Sequence, residues 1–241
     1  MPGLGTIINV AGIILGGLAG LIFKKALKPR VQDTLMMACG ISVLFLGIAG
    51  AMEQTLTAVQ DGTLKSGGTM MVIASLVLGG VIGELIDIES AMERFGRWLR
   101  KITHSERDGG FVDAFLTATL TVCIGAMAIV GSIQDGILHD CSTLTAKAVL
   151  DLIIVMIMTA TKGKGCIFSA IPVAVFQGTI TALSRLIETI MTPHALSYLS
   201  LVGSILIFCV GVNLVWGKKI RVANLLPSVV LAVACAYIPL F

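Results

Sequence analysis

Charge is scarce in this sequence: 13% of its 241 residues are Asp, Glu, Lys or Arg, against about 25% in a soluble domain. With so little charge, the chain cannot cover its surface with solvated groups, which excludes an ordinary soluble fold and a disordered one. Histidine is rarer still, and all three copies, His104, His139 and His194, fall between apolar stretches. Cys39, Cys123, Cys141, Cys166, Cys209 and Cys235 are scattered singly, with no CxxC pair and no His neighbour at metal-ligand spacing. They read as small apolar residues, and no metal site is expected. There is no nucleotide-binding glycine loop and no Ser/His/Asp set. The expectation is a protein that is not an enzyme, takes no cofactor and has no nucleic-acid partner.

Long apolar runs are what the sequence does have. Hydrophobic residues make up 56% of the chain and the mean hydropathy is +0.98. At roughly 20 residues per membrane crossing, the length holds about eight helices and leaves no room for a soluble domain. The expected fold is all-α, a polytopic transmembrane bundle forming a single domain over 1–241, with spans near 4–23, 34–52, 69–88, 111–133, 144–161, 166–191, 196–216 and 222–241. The sixth is long enough to tilt or to extend beyond the bilayer. No charge precedes Lys24, so the first apolar run lacks the basic lead of a cleavable signal and is expected to stay.

Most of the 17 lysines and arginines follow odd-numbered spans, as in Lys24–Arg30, Arg94–Arg107, Lys162–Lys164 and Lys218–Arg221. The positive-inside rule then places both termini on the non-cytoplasmic side. Between the third and fourth spans, Met92, Phe95, Trp98, Leu99 and Ile102 recur at helical spacing among Arg94, Arg97, Arg100 and Lys101. This predicts a short helix on the cytoplasmic lipid surface, or an extension of span three.

Glycine organises the first span: Gly12, Gly16 and Gly20 line one helix face, widened by Gly17. Ser75, Gly79 and Gly83 repeat the stripe in span three. Such faces let helix backbones approach closely, and these two are expected to bury against neighbouring helices or against each other. Spans two and four share an ending, Gly50-Ala51-Met52 to Gln60-Asp61-Gly62 against Gly125-Ala126-Met127 to Gln134-Asp135-Gly136. A two-helix unit used twice is expected, with a fainter inverted echo around Phe176-Gln177-Gly178. Inverted repeats are typical of secondary transporters.

Polar residues at membrane depth are costly and mark candidate sites. Lys147 and Asp151 stand one turn apart in span five. They read either as a solute or proton site, or as a self-neutralised pair tying helices together. Asn9 enters from the same outer side, Gln177 lies near the middle of span six, and Asn213 lies near the inner end of span seven. Glu84 either lines a path or reaches the inner headgroups. Arg185 and Glu188 are spaced to pair at the outer interface. Gly125 and Gly131 weaken span four, and Pro172 and Pro227 enter spans six and eight, where freed backbone can line a cavity. The sharpest expectation is an outward-opening polar pocket of Asn9, Lys147 and Asp151, continued inward by Gln177.

Ile8-Asn9 with Leu15-Gly16-Gly17-Leu18-Ala19-Gly20, Leu78-Gly79-Gly80 with Ile82-Gly83-Glu84, Ala146-Lys147 with Leu150-Asp151, and Asn224-Leu225-Leu226-Pro227 carry a resemblance. In these motifs and their order the chain resembles the YqgA-like family of bacterial inner-membrane proteins, described as domain of unknown function 554. The resemblance implies a multi-spanning inner-membrane protein of a kind loosely described as transporters, and it brings no substrate. The functional expectation is ATP-independent passage of a small solute or ion. The alternative is a non-transporting scaffold or a partner subunit of another membrane complex. The expected partners are the lipid bilayer, a small solute or ion, and further copies of the chain in a homo-oligomer.

Overall fold

In the computed structural model, residues 3–26, 28–58, 64–105, 109–123 and 126–238 are described. The chain is helical throughout these, apart from one small hairpin. Its helices are α1 (Leu4–Ala26), α2 (Pro29–Thr55), α3 (Thr69–Ile86), α4 (Ile88–Ile102), α5 (Phe111–Cys123), α6 (Ala126–Ile137), α7 (Ser142–Lys162), α8 (Ala170–Ala182), α9 (Ser184–Ile190), α10 (Pro193–Trp216) and α11 (Pro227–Cys235). Two 3-10 turns, Lys164–Ser169 and Val222–Leu225, precede α8 and α11. Between α2 and α3, strands β1 (Leu56–Ala58) and β2 (Leu64–Ser66) pair antiparallel, a departure from a purely helical chain.

Six segments are long and apolar enough to cross a membrane: α1, α2, α3, α7, α10 and the run Lys164–Ala182. A seventh is reached if α5 and α6, bent by 61°, count as one broken span, and Val222–Cys235 is shorter than a full crossing. The expected fourth span is therefore two helices. The break expected at Gly125, like the Gln60-Asp61-Gly62 ending, lies outside the described residues. The expected sixth span is divided among a 3-10 turn, α8 and α9. Gly163, at φ +107°, allows the turn from α7 into it. The two prolines do not kink helix middles. Pro172 lies in the first turn of α8 and Pro227 opens α11, where a missing N–H costs nothing.

Helix pairing follows the small residues. Cβ atoms added at Gly12, Gly16 and Gly20 would meet the carbonyl oxygens of Ala148, Leu152 and Met156 in turn. The numbers rise together, so α1 and α7 run parallel with their backbones in close contact, an arrangement that Cα–H···O contacts favour. By contrast, α2 and α10 run antiparallel, with Gly47 on the Phe208 backbone, Gly50 on Ser204 and Gly211 on Leu44. In α3, Ser75 faces Cys235, Gly79 faces the Ser228 backbone and Gly83 faces the Asn224 carbonyl, so α3 runs antiparallel to α11. The two glycine stripes thus lie on different partners and do not meet each other.

The largest core holds Ile13, Val43, Ala118, Val155, Met158, Val173 and Leu206 from α1, α2, α5, α7, α8 and α10. Large apolar side chains such as Leu15, Ile22, Met70, Leu85 and Val230 stay exposed on the outside. That inversion of a soluble protein suits a hydrocarbon solvent. The amphipathic α4 buries Leu99 and seats Gly96 on Phe115 of α5, while Trp98 and Ile102 remain exposed.

Candidate functional site: a buried ion pair at a helix break

α7 places Lys147 and Asp151 one turn apart on its buried face. The Lys147 ammonium donates to Asp151 Oδ1 at 2.9 Å and Oδ2 at 2.7 Å. Its third proton goes to the Val122 carbonyl at 2.8 Å. Val122 is in the last turn of α5, next to the break before α6. A helix end leaves carbonyls without an internal donor, and Lys147 satisfies one of them at membrane depth. The ion pair therefore also stitches the broken span to α7. Lys147 and Asp151 are 8% and 3% exposed.

Asn9 is brought to this pair. α1 lays its fully buried amide against the Asp151 carboxylate, within that group's hydrogen-bonding surroundings but without close, well-aligned geometry. Gln177, on the buried face of α8, is also buried, with its amide nitrogen and oxygen unpartnered. α8 packs on both α1 and α6. The hydroxyls of Thr6 on α1, Ser132 on α6 and Thr181 on α8 are also buried and unpartnered. Most of the unpartnered buried polar atoms among the described residues thus belong to α1, α6 and α8, the helices grouped with α7. Leaving such groups unmatched costs about 1–3 kcal/mol each, so their concentration in one group of helices calls for a functional explanation.

One member was not singled out from the sequence. Asp135 of α6 is fully buried, and its Oδ2 accepts the Gly5 N–H at 3.0 Å. In the sequence it was only part of the polar end of span four. The available signal was a carboxylate with no nearby cation in the chain.

Two expected path residues are not in this group. The Asn213 amide donates to the Ile220 carbonyl at 2.7 Å and accepts the Lys219 and Ile220 N–H groups at 2.8 and 2.9 Å. It holds the loop after α10 in shape, with its oxygen and one amide proton engaged there. Glu84 is exposed near the C-terminal end of α3 and pairs with Arg221 at 3.2 Å. Both lie beside a network in which Lys218 bridges Glu89 at 2.6 Å and Glu93 at 3.0 Å, while Asn224 accepts the Glu89 N–H at 2.8 Å. The Lys218 hydrogen bond holds the Glu93 carboxyl below its usual range. The side chain of Glu188 lies outside the described residues, so its pairing with Arg185 does too.

A separate cavity of about 590 Å³ opens between α5, α8, α10 and α11. Its wall is apolar except at Thr119, and none of the expected site residues line it. All six cysteines are free.

The family described as "Protein of unknown function (DUF554)" matches residues 4–237. The chain is 31% identical over 227 residues to the uncharacterized membrane protein YdfK of Bacillus subtilis (strain 168), covering 94% of this chain and 93% of that one. It is 27% identical over 233 residues to the uncharacterized protein YqgA of Escherichia coli (strain K12), covering 95% and 94%. No solved structure matches. Matched over almost its whole length, and carrying the apolar helices of a membrane protein, the chain belongs to the DUF554 family.

Proposed function

We propose that this is a bacterial inner-membrane protein that passes a small solute or ion, without ATP, through the polar group shared by α1, α6, α7 and α8. One observation carries the reading: the Lys147–Asp151 pair is docked on the freed end of a broken helix, with the buried amide of Asn9 at its side. Discontinuous helices at membrane depth are where secondary transporters build their sites. A scaffold has one observation in its favour, the full engagement of all three Lys147 protons. It does not account for the unpartnered amide of Gln177, which a purely structural core would replace with an apolar side chain. In this reading the protein catalyses no reaction and binds no nucleic acid, and the surrounding lipid is its constant partner.

The same reading has eight crossings with both termini outside the cytoplasm. The parallel packing of α1 on α7 supports it. If α5 and α6 returned to the side they entered from, α7 would run against α1. The antiparallel pairs α2–α10 and α3–α11 agree with the same count. Reporter fusions after Lys101 and after Gly136 should report cytoplasm and exterior respectively, and finding both on one side would overturn the count. A repeated unit has support as well. Gly17 of α1 sits on Ile167 in one 3-10 turn, and Gly80 of α3 sits by Leu225 in the other.

Flux tests the function. Proteoliposomes carrying the protein should dissipate an imposed sodium or proton gradient faster than empty vesicles. The variant Lys147→Met/Asp151→Leu should behave like empty vesicles. Equal leakage from parent and double variant would refute the pathway.

A further inference from the structure

The apolar cavity of about 590 Å³ between α5, α8, α10 and α11 has the shape of a slot. On one wall Leu226, Val229, Val230 and Val233 follow the i, i+3, i+4, i+7 spacing of a single helix face. α8 and α10 supply pairs one turn apart, Pro172 with Phe176 and Leu199 with Gly203. The space is therefore elongated along the helix axes, over roughly 10 Å from Leu226 to Val233. Phe176 and Val230 line it and are also 38% and 70% exposed, so it opens sideways between α8 and α11. Met92 of the amphipathic α4 lines it too.

The wall decides what can fill the slot. Among the described lining residues Thr119 supplies the one hydroxyl, whereas a buried water needs several polar partners. Left empty, the walls would forfeit their packing contacts. The solvent around a membrane protein is hydrocarbon, which suits both the surface and the shape. Thr119 is 2% exposed and its hydroxyl has no partner. It stands one turn along α5 from Phe115, on which α4 seats Gly96, so this idle donor lies toward the α4 end. α4 brings positive charge there. Arg97 pairs with Glu93, but Arg94, Arg100 and Lys101 form no ion pair among the described residues. Cations at a membrane surface attract anionic lipids. We propose that the slot holds one acyl chain of an anionic phospholipid, with an ester carbonyl accepting from Thr119 and the phosphate on the α4 cations. This lipid site needs only that the chain lies in a membrane, and it is independent of the ion pathway.

The test uses the purified full-length protein in detergent, washed until native mass spectrometry shows no retained lipid. Tm is measured with added phosphatidylglycerol, with phosphatidylcholine of the same chains, or with detergent alone, since a ligand bound only to the folded state raises Tm. Phosphatidylglycerol should raise Tm by several degrees over detergent, and phosphatidylcholine by less. Val230→Trp, which puts a ring into the opening, should abolish both rises. The triple variant Arg94→Gln/Arg100→Gln/Lys101→Gln should bring the phosphatidylglycerol response down to that of phosphatidylcholine. No rise in the parent, or an equal rise in Val230→Trp, overturns the slot. Equal responses of the parent to the two lipids, or an undiminished preference in the triple variant, overturn the headgroup site. Should Val230→Trp fail to fold, Phe176→Trp on the facing wall takes its place: a lost response supports the slot, and an unchanged one overturns it.

Discussion

Lys147→Met is expected to destabilise the protein by about 3–5 kcal/mol, a large share of the roughly 5–15 kcal/mol that separates folded from unfolded chains. The substitution strands two groups at once. The Asp151 carboxylate loses its only ion-pair partner among the described residues, and the Val122 carbonyl loses its donor at the end of α5. Adding Asp151→Leu should restore most of the loss, because a buried pair replaced by apolar residues of similar volume is often neutral. Unfolding midpoints of the parent, single and double variants read this out. A single variant as stable as the parent would mean that water reaches and solvates Asp151 in the folded state. The double variant separates the two roles of the pair, since a scaffold would tolerate it and a pathway would not.

Gly16→Leu is the second large effect expected. Any side chain at Gly16 would run into the Leu152 carbonyl of α7, which is backbone and cannot rotate aside. Overpacking costs about 1–3 kcal/mol in well-packed sites and more where helices must separate. Gly79→Leu should act alike against Ser228 of α11. Gly178→Ala is the control: nothing lies within 4 Å of the added methyl, and removing a helical glycine gains roughly 0.5–1 kcal/mol. Heat resistance of the detergent-solubilised variants should therefore rank Gly178→Ala at or above the parent, with both leucine variants well below. Because α1 carries Asn9 to Asp151, Gly16→Leu should also disturb the polar group from two turns away.

These effects show what could be read from the residues and what could not. Continuous apolar runs declare their helices, so α1, α2, α3, α7 and α10 fall close to the expected bounds. Gly125 marked span four as weak, but the 61° bend between α5 and α6 was hidden, because apolar residues continue on both sides and hydropathy does not register a bend. The 3-10 turns before Pro172 and Pro227 were hidden for the same reason. Lys147 and Asp151 were legible because spacing by one helical turn fixes a pair wherever the helix lies. The pairing of α1 with α7 was not, since glycine stripes state that a partner exists without naming it. Asn213 and Glu84 were misread because depth estimated by counting residues cannot tell a loop cap or a surface ion pair from a lining group. Asp135 was passed over because its partner, the Gly5 N–H of α1, is far away in the chain.

A pathway requires that the buried polar group open to water on the outer side. Single cysteines at Thr6, Asn9, Gln177 and Ile13, in a background lacking the six native cysteines, can be exposed to a membrane-impermeant thiol reagent applied to intact cells. Asn9 is fully buried in this conformation, and so is Ile13, one turn further along the same helix face in the apolar core. A pathway predicts rapid labelling at Thr6→Cys, slower labelling at Asn9→Cys, slower still at Gln177→Cys, and none at Ile13→Cys. Labelling at Asn9→Cys no faster than at Ile13→Cys would contradict the pathway and leave the Lys147–Asp151 pair as a structural tie.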